Sequence, residues 1–210
     1  MKTTSGASSF GAGGGAAPDA AILAGGRGTR LGGVIKPLLE VGGVPILDRQ
    51  LAALKPVVDR IAIVAPDPAT IAREGAVGIT DPGRGPLAAM VCALEWCESD
   101  RLLVVAGDLP FASAAAVALL ASRAGDIVAP VVDDIPQVLF ALYRPAAVLE
   151  LARAFAVAGK GPRRMFSAAV DRGLVATTID EATCRETLGG VEFSFGINNA
   201  EQLAQARARE

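Results

Sequence analysis

The chain of 210 residues contains no histidine. That absence excludes Ser-His-Asp triads, the zincin helix motif and imidazole proton shuttles. Chemistry here must rest on carboxylates, lysine, arginine, backbone amides or a metal held by oxygen. Aromatic residues are scarce, 4% against 51% hydrophobic, so the core has to be assembled from Ala, Val, Leu and Ile. An excess of charge of one sign is also lacking. Lys plus Arg is 20, Asp plus Glu is 22, and the formal net charge is −2, which argues against a life on nucleic acid or on an anionic membrane surface. No apolar run reaches the ~18 residues that span a bilayer. The three cysteines, Cys92, Cys97 and Cys184, cannot close a disulfide framework, and their spacing matches no zinc knuckle. They read as buried thiols in a reducing cytoplasm.

At ~150 residues per domain the length favours one domain with a core of its own. Residues 1–17, rich in Gly, Ser and Ala and without an apolar h-region, read as a disordered tail rather than a signal peptide. Residues 18–210 carry the domain. Apolar runs at Ala20–Ala24, Arg60–Ala65 and Arg101–Ala106 predict buried strands, and 127–132 and 138–143 predict two more. Apolar spacing predicts helices over 45–54, 86–97, 113–123, 145–157, 162–171 and 200–208, with Ser113 and Asn199 as caps. Strands without polar alternation, interleaved with helices, indicate a mostly parallel sheet covered on both faces. The expected fold is α/β, a single Rossmann-like three-layer domain. In such sheets ligands sit beyond the carboxyl ends of the strands, and three ends carry signals: GGRGTRLGG, PDP and GDLP.

Gly25, Gly26, Gly28, Gly32 and Gly33, with Arg27 and Arg30 among them, could close backbone amides around an anion. The Walker pattern fails, because Gly33 is followed by Val34-Ile35 rather than Lys-Ser/Thr. The dinucleotide pattern G-x-G-x-x-G fits from Gly26 only with its third glycine displaced to Gly32, although Asp48 lies near the expected place of a ribose acid. A third pattern fits better. LAGGRGTRLGGVIKPLLEVGGVPIL, from Leu23 to Leu47, resembles the signature of the MobA-like nucleotidyltransferases, the molybdenum cofactor guanylyltransferase type. The likeness continues, in the family's order, through Asp81–Met90, Ala106–Pro110, Gly161–Arg164 and Ile197–Leu203.

The resemblance implies a nucleotide-diphospho-sugar-transferase-like fold and Mg²⁺-dependent transfer of GMP from GTP to the phosphate of molybdopterin, with pyrophosphate released. Such a reaction needs alignment and charge neutralisation more than acid–base work, because the nucleophile is already an anion. By the resemblance Leu23, Ala24 and Gly25 are the backbone that meets the base, with Gly26 beside them on the nucleotide. Lys36 is the phosphate-contacting lysine, with Arg30 as a second clamp. Asp81 contacts the nucleotide, and Asp108 is the metal aspartate. Asn198, Arg163 and Arg164 line the acceptor side. The expected partners are the two substrates and molybdoenzymes or their chaperones, with no nucleic acid and no membrane.

The chain also departs from the family pattern. Val64-Ala65-Pro66 stands where an asparagine is common, Gly107 replaces the cysteine of Cys-Asp-x-Pro, and Gly196 replaces an asparagine. Gly107-Asp108 is closer to cytidylyl relatives, but Leu-Ala-Gly-Gly is the guanylyl form of the first loop, and a glycine without Cβ leaves room for a bicyclic base, so GTP is favoured and a cytidylyltransferase is the alternative. A sugar-1-phosphate nucleotidyltransferase, a non-catalytic nucleotide-binding regulator and a dinucleotide oxidoreductase are the other readings. Each site residue also has a plainer explanation. The glycines can be simple turns, Lys36 a surface lysine, Asp81 a turn starter, Arg163 and Arg164 a solvated helix start, and Asn198 a helix-entry residue. Asp133-Asp134 reads as a hairpin turn.

Overall fold

Runs of Ala and branched aliphatic residues are satisfied where a sheet is covered on both faces, and the chain builds that arrangement. The computed structural model describes residues 16–25 and 33–209. In chain order the strands are β1 (Asp19–Leu23), β2 (Glu40–Val41), β3 (Val44–Pro45), β4 (Ile61–Ala65), β5 (Ala76–Thr80), β6 (Leu102–Ala106), β7 (Ile127–Val132), β8 (Ile135–Pro136), β9 (Phe140–Tyr143) and β10 (Ala176–Ile179). The helices are α1 (Ile46–Leu54), α2 (Pro86–Trp96), α3 (Ala114–Ala121), α4 (Pro145–Val157), α5 (Pro162–Asp171), α6 (Glu181–Leu188) and α7 (Ala200–Arg207). The main sheet runs β10-β7-β9-β6-β1-β4-β5, with β8 paired to β7, and β2 and β3 form a separate hairpin.

Strands β6, β1, β4 and β5 are parallel, as are β10 and β7. Strand β9 runs antiparallel to both β6 and β7. The reversal begins at Asp133 and Asp134, whose φ values of 51° and 59° are those of a two-residue type I′ turn. The expected hairpin turn is therefore what these aspartates form.

Alternate residues of the central strands serve opposite faces. Ala20, Ile22, Ile61, Ile63, Leu103 and Val105 pack with residues of α1, α3 and α6. Ala21, Leu23, Ala62, Val64, Leu102 and Val104 pack with α2, α4 and α5. This gives the three layers read from the sequence. The chain leaves β1 toward β4 on one side and returns to β6 on the other. That reversal of strand order opens a crevice at their carboxyl ends.

Three elements escape the apolar pattern. Strands β5 and β10 are the two edges of the sheet and are partly exposed. Helix α6 buries only Cys184 fully, so it has no apolar stripe to read. Its boundaries are set by Asp180, which accepts from Thr183 N, and by Gly189 at φ 77°, a side-chain cap and a left-handed stop. Strand β2 starts only at Glu40, after a 3-10 turn at Lys36–Leu38. Of the expected tail, Ala16 and Ala17 alone fall among the described residues.

All three cysteines are free thiols, but only Cys184 is buried as expected; Cys92 and Cys97, on and just after α2, are partly exposed. Burial, then the charge of Asp19, pushes Cys97 up to about 12. No described helix is long and apolar enough to cross a membrane.

Candidate active site

Four chain segments meet at the carboxyl edge of the sheet: Gly25 after β1, Pro66 after β4, Asp81 after β5 and Gly107-Asp108 after β6. Together with Lys36 and the start of α2 they line a cavity of about 430 Å³. Asp81 is held by its own N–H, which donates to Ala65 O at 2.7 Å, and its Oδ1 accepts from Gly83 N at 2.8 Å. A Cβ added at Gly25 would fall on the Asp81 carboxylate; the missing side chain is what lets the acid stand there. Gly107 makes a similar close approach. Its N–H donates to Leu23 O at 2.9 Å, and a Cβ there would lie 2.9 Å from that oxygen and 3.0 Å from Pro37 Cγ. In this chain the cysteine of Cys-Asp-x-Pro would have to push the turn off β1.

Lys36 reaches across from the 3-10 turn. Its Nζ donates to Asp108 Oδ2 at 3.1 Å and to Asn198 Oδ1 at 2.8 Å. Asn198 is brought there by two anchors. The neighbouring Ile197 N–H donates to Asp108 O at 2.9 Å. The start of α7 then forms a reciprocal cap, with Gln202 N donating to Asn199 Oδ1 at 2.8 Å and Asn198 N donating to Gln202 Oε1 at 2.7 Å, close to the pairing of a capping box.

A second cavity, of about 580 Å³, lies on the far side of Asp108 and includes Arg163, Arg164, Asn198 and Gly196 in its lining. Ala106, Asp108 and Leu139 border both cavities. The arginines open α5 behind Gly161 and Pro162, and their guanidinium groups form no ion pair among the described residues.

The structure thus brings Lys36, Asp108 and Asn198 into contact, with Gly25 and Asp81 on one side and Arg163 and Arg164 on the other. Leu23 lines the first cavity, but its carbonyl is taken by Gly107. Ala24 is buried, and its N–H donates to Val64 O at 2.8 Å, which leaves Gly25 as the open member of that stretch. Gly26 and Arg30 lie outside the described residues. Asp48, the acid of the dinucleotide alternative, sits on α1 paired with Arg73 at 2.6 Å and lines neither cavity.

Among the described residues no group of three or more acidic, Cys or His side chains could hold a metal. Of the two carboxylates that line the first cavity, Asp81 and Asp108, only the partly buried Asp108 also borders the second. That suits Mg²⁺, which binds through one or two carboxylates and fills its shell with phosphate oxygens and water.

The family model described as the MobA-like NTP transferase domain matches residues 20–173. The chain belongs to this family. A molybdenum cofactor guanylyltransferase of Acidiphilium cryptum is 41% identical over 100 residues, 44% of this chain and 51% of that protein. The chain thus spans about half the length of that relative. One from Shewanella amazonensis is 33% identical over 150 residues, 68% of this chain and 76% of that protein. Among solved structures, molybdopterin-guanine dinucleotide biosynthesis protein A of Archaeoglobus fulgidus shares the fold. Its TM-score is 0.74 at 22% identity, covering 91% of this chain and 97% of that one.

Two residues that support this site were given no role from sequence, Gln202, which lies within the Ile197–Leu203 likeness, and Gln50. Gln202 had a signal, since Asn199-x-x-Gln202 is a capping spacing. Gln50 had one too, as a polar residue on the apolar stripe of Ile46, Leu47, Leu51 and Leu54.

Proposed function

We propose that this domain transfers GMP from GTP to the phosphate of molybdopterin, forming molybdopterin guanine dinucleotide and pyrophosphate. The observation that carries the reading is the place of Asp108, bordering both cavities and bonded to Lys36. Two phosphates entering from opposite sides would meet there. The nucleotide takes the cavity of Gly25, Asp81 and the α2 terminus, and the acceptor takes the cavity of Arg163, Arg164 and Asn198. An oxygen of the acceptor phosphate attacks the α-phosphorus of GTP; the new P–O bond forms as the α–β bridging bond breaks, and pyrophosphate leaves with the electron pair. The attacking oxygen is already ionised, so a site without histidine suffices. Lys36 meets the phosphate oxygens and Asn198 keeps the ammonium aimed at them, while the arginines grip the acceptor's phosphate in bidentate fashion. Asp108 would hold Mg²⁺, which supplies charge neutralisation for the departing pyrophosphate.

The preference for guanine over cytosine rests on the likeness of Leu23-Ala24-Gly25-Gly26 to the guanylyl form of the loop. The test is pyrophosphate release from GTP or CTP with Mg²⁺, offered molybdopterin or a hexose-1-phosphate. Release with GTP and molybdopterin alone is expected. Release with CTP would move the domain to the cytidylyl branch. Release only with the sugar phosphate, or none with either acceptor, would overturn the proposal.

A further inference from the structure

Asp19 and Gln50 are the buried polar side chains among the described residues, and they are treated unequally. Asp19 is surrounded by donors, whereas Gln50 is half satisfied. Its Nε2 donates to two carbonyls, Ala106 O at 2.7 Å and Leu109 O at 3.1 Å, while its Oε1 is buried without a partner. A buried acceptor left unpaired is a cost that leucine or methionine on the same stripe would not carry. Core filling therefore does not account for a glutamine here. The two donated bonds do, and they clasp the turn that carries Asp108 on both sides.

Other elements hold the rest of that turn. Leu139 O accepts from Ala106 N at 2.7 Å, Leu23 O from Gly107 N at 2.9 Å, and Ile197 N donates to Asp108 O. Helix α1, which carries Gln50, also packs on the 3-10 turn of Lys36. Gln50 thus ties the element next to Lys36 to the turn of Asp108. We infer that Gln50 is a positioning residue that sets where the Asp108 carboxylate stands relative to Lys36 and to the cation arriving with the nucleotide. It touches neither substrate nor metal itself.

The inference rests on the reading of Asp108 as the cation ligand. The test titrates Mn²⁺ into the full chain with a non-hydrolysable GTP analogue, reading free Mn²⁺ by electron paramagnetic resonance. The variants are Gln50→Met, Gln50→Glu and Asp108→Asn. Gln50→Met removes both donors together with the unpaired acceptor. Gln50→Glu keeps the shape but, held neutral by burial against two carbonyls, has one donor to offer them where Gln50 has two. Both should bind Mn²⁺ about tenfold more weakly than the parent, the lower end of what removal of an outer-shell partner of a metal ligand does. The metal-free affinity for the analogue should be unchanged, which a collapse of the site would not permit. Parent-like Mn²⁺ affinity in these variants, or a parallel loss of metal-free nucleotide binding, overturns the inference. If Gln50→Met does not fold, Gln50→Glu decides on the same readouts. A parent that binds no more Mn²⁺ than Asp108→Asn overturns the reading of Asp108, and this inference with it.

Discussion

The two ends of the central sheet each carry an aspartate paired with a base, and the pairs are built for opposite purposes. At the amino end of β1, Asp19 is 1% exposed. Arg60 grips it in bidentate fashion at 3.2 and 2.7 Å, and Glu98 N and Ser99 N donate at 3.0 and 3.2 Å. At the carboxyl end of β6, Asp108 and Lys36 are 23% and 19% exposed and share one bond of 3.1 Å. The first carboxylate has every oxygen engaged by the protein. The second faces two cavities with acceptor capacity to spare. A closed pair holds the chain together, and an open one has lone pairs that a ligand could take.

The widest separation should come from replacing the two aspartates. Asp108→Asn should lower turnover by roughly 10²–10³-fold or more, the scale of losing a transition-state charge partner. Its thermal midpoint should hardly move, because partly exposed pairs contribute about 0–1 kcal/mol. Asp19→Ala should do the reverse. Arg60 is partly exposed and keeps Glu98, so the loss is that of the charge-assisted bonds to Asp19, about 1.5–3 kcal/mol, visible in urea unfolding, while turnover per folded molecule stays. A stable Asp19→Ala, or a fully active Asp108→Asn, would erase the contrast.

Acid sharpens the comparison. Burial pushes the Asp19 carboxyl up, but the bonds from Arg60 and from Glu98 N and Ser99 N outweigh it and hold the pKa at about 2, below the ordinary 3.8. Above 3.8 the group is ionised folded or unfolded, and its stabilisation is complete. As pH falls from 3.8 toward 2 the unfolded chain takes up the proton first, and about 2 kcal/mol is lost. Unfolding free energy measured from pH 5 to 2 should fall less steeply in Asp19→Asn than in the parent. Equal slopes would remove Asp19 from the acid response.

How legible each region was follows from what it buries. Ala20–Ala24, Ile61–Ala65 and Leu102–Ala106 announce themselves because both faces of each strand are covered, and Gly, Pro and Asp mark where they end. Strand β5 does not, since an edge strand with Val77 half exposed and a central Gly78 has no apolar run. At the site, spacing alone could nominate Asp108 as a carboxylate beyond a buried strand. It could not join it to Lys36, 72 positions away, or Lys36 to Asn198, 162 away; that grouping came from the family likeness. Gln50 was visible as a polar residue on an apolar stripe, but its partners are backbone carbonyls, which carry no residue signature.

The smallest effects separate the two glycines that flank the open pair. Both depart from the family pattern, yet only one is sterically required. At Gly107 an added Cβ meets Leu23 O at 2.9 Å, Pro37 Cγ at 3.0 Å and Ala24 Cα at 3.1 Å. Two of these are backbone and the third is a proline ring, so none can swing aside, and Gly107→Ala should cost about 1–3 kcal/mol by overpacking. At Gly196 the nearest atoms are Asn198 Nδ2 at 3.5 Å and Asp108 Oδ1 at 3.7 Å, ordinary contact distances. Without a positive φ to forbid a side chain, Gly196→Ala should gain about 0.4–1 kcal/mol by restricting the unfolded chain. Thermal unfolding of the pair would therefore shift in opposite directions. A matching loss in both would mean that the segment before Asn198 packs as tightly against Asp108 as β1 does against Gly107, and that the open side of the pair is closed after all.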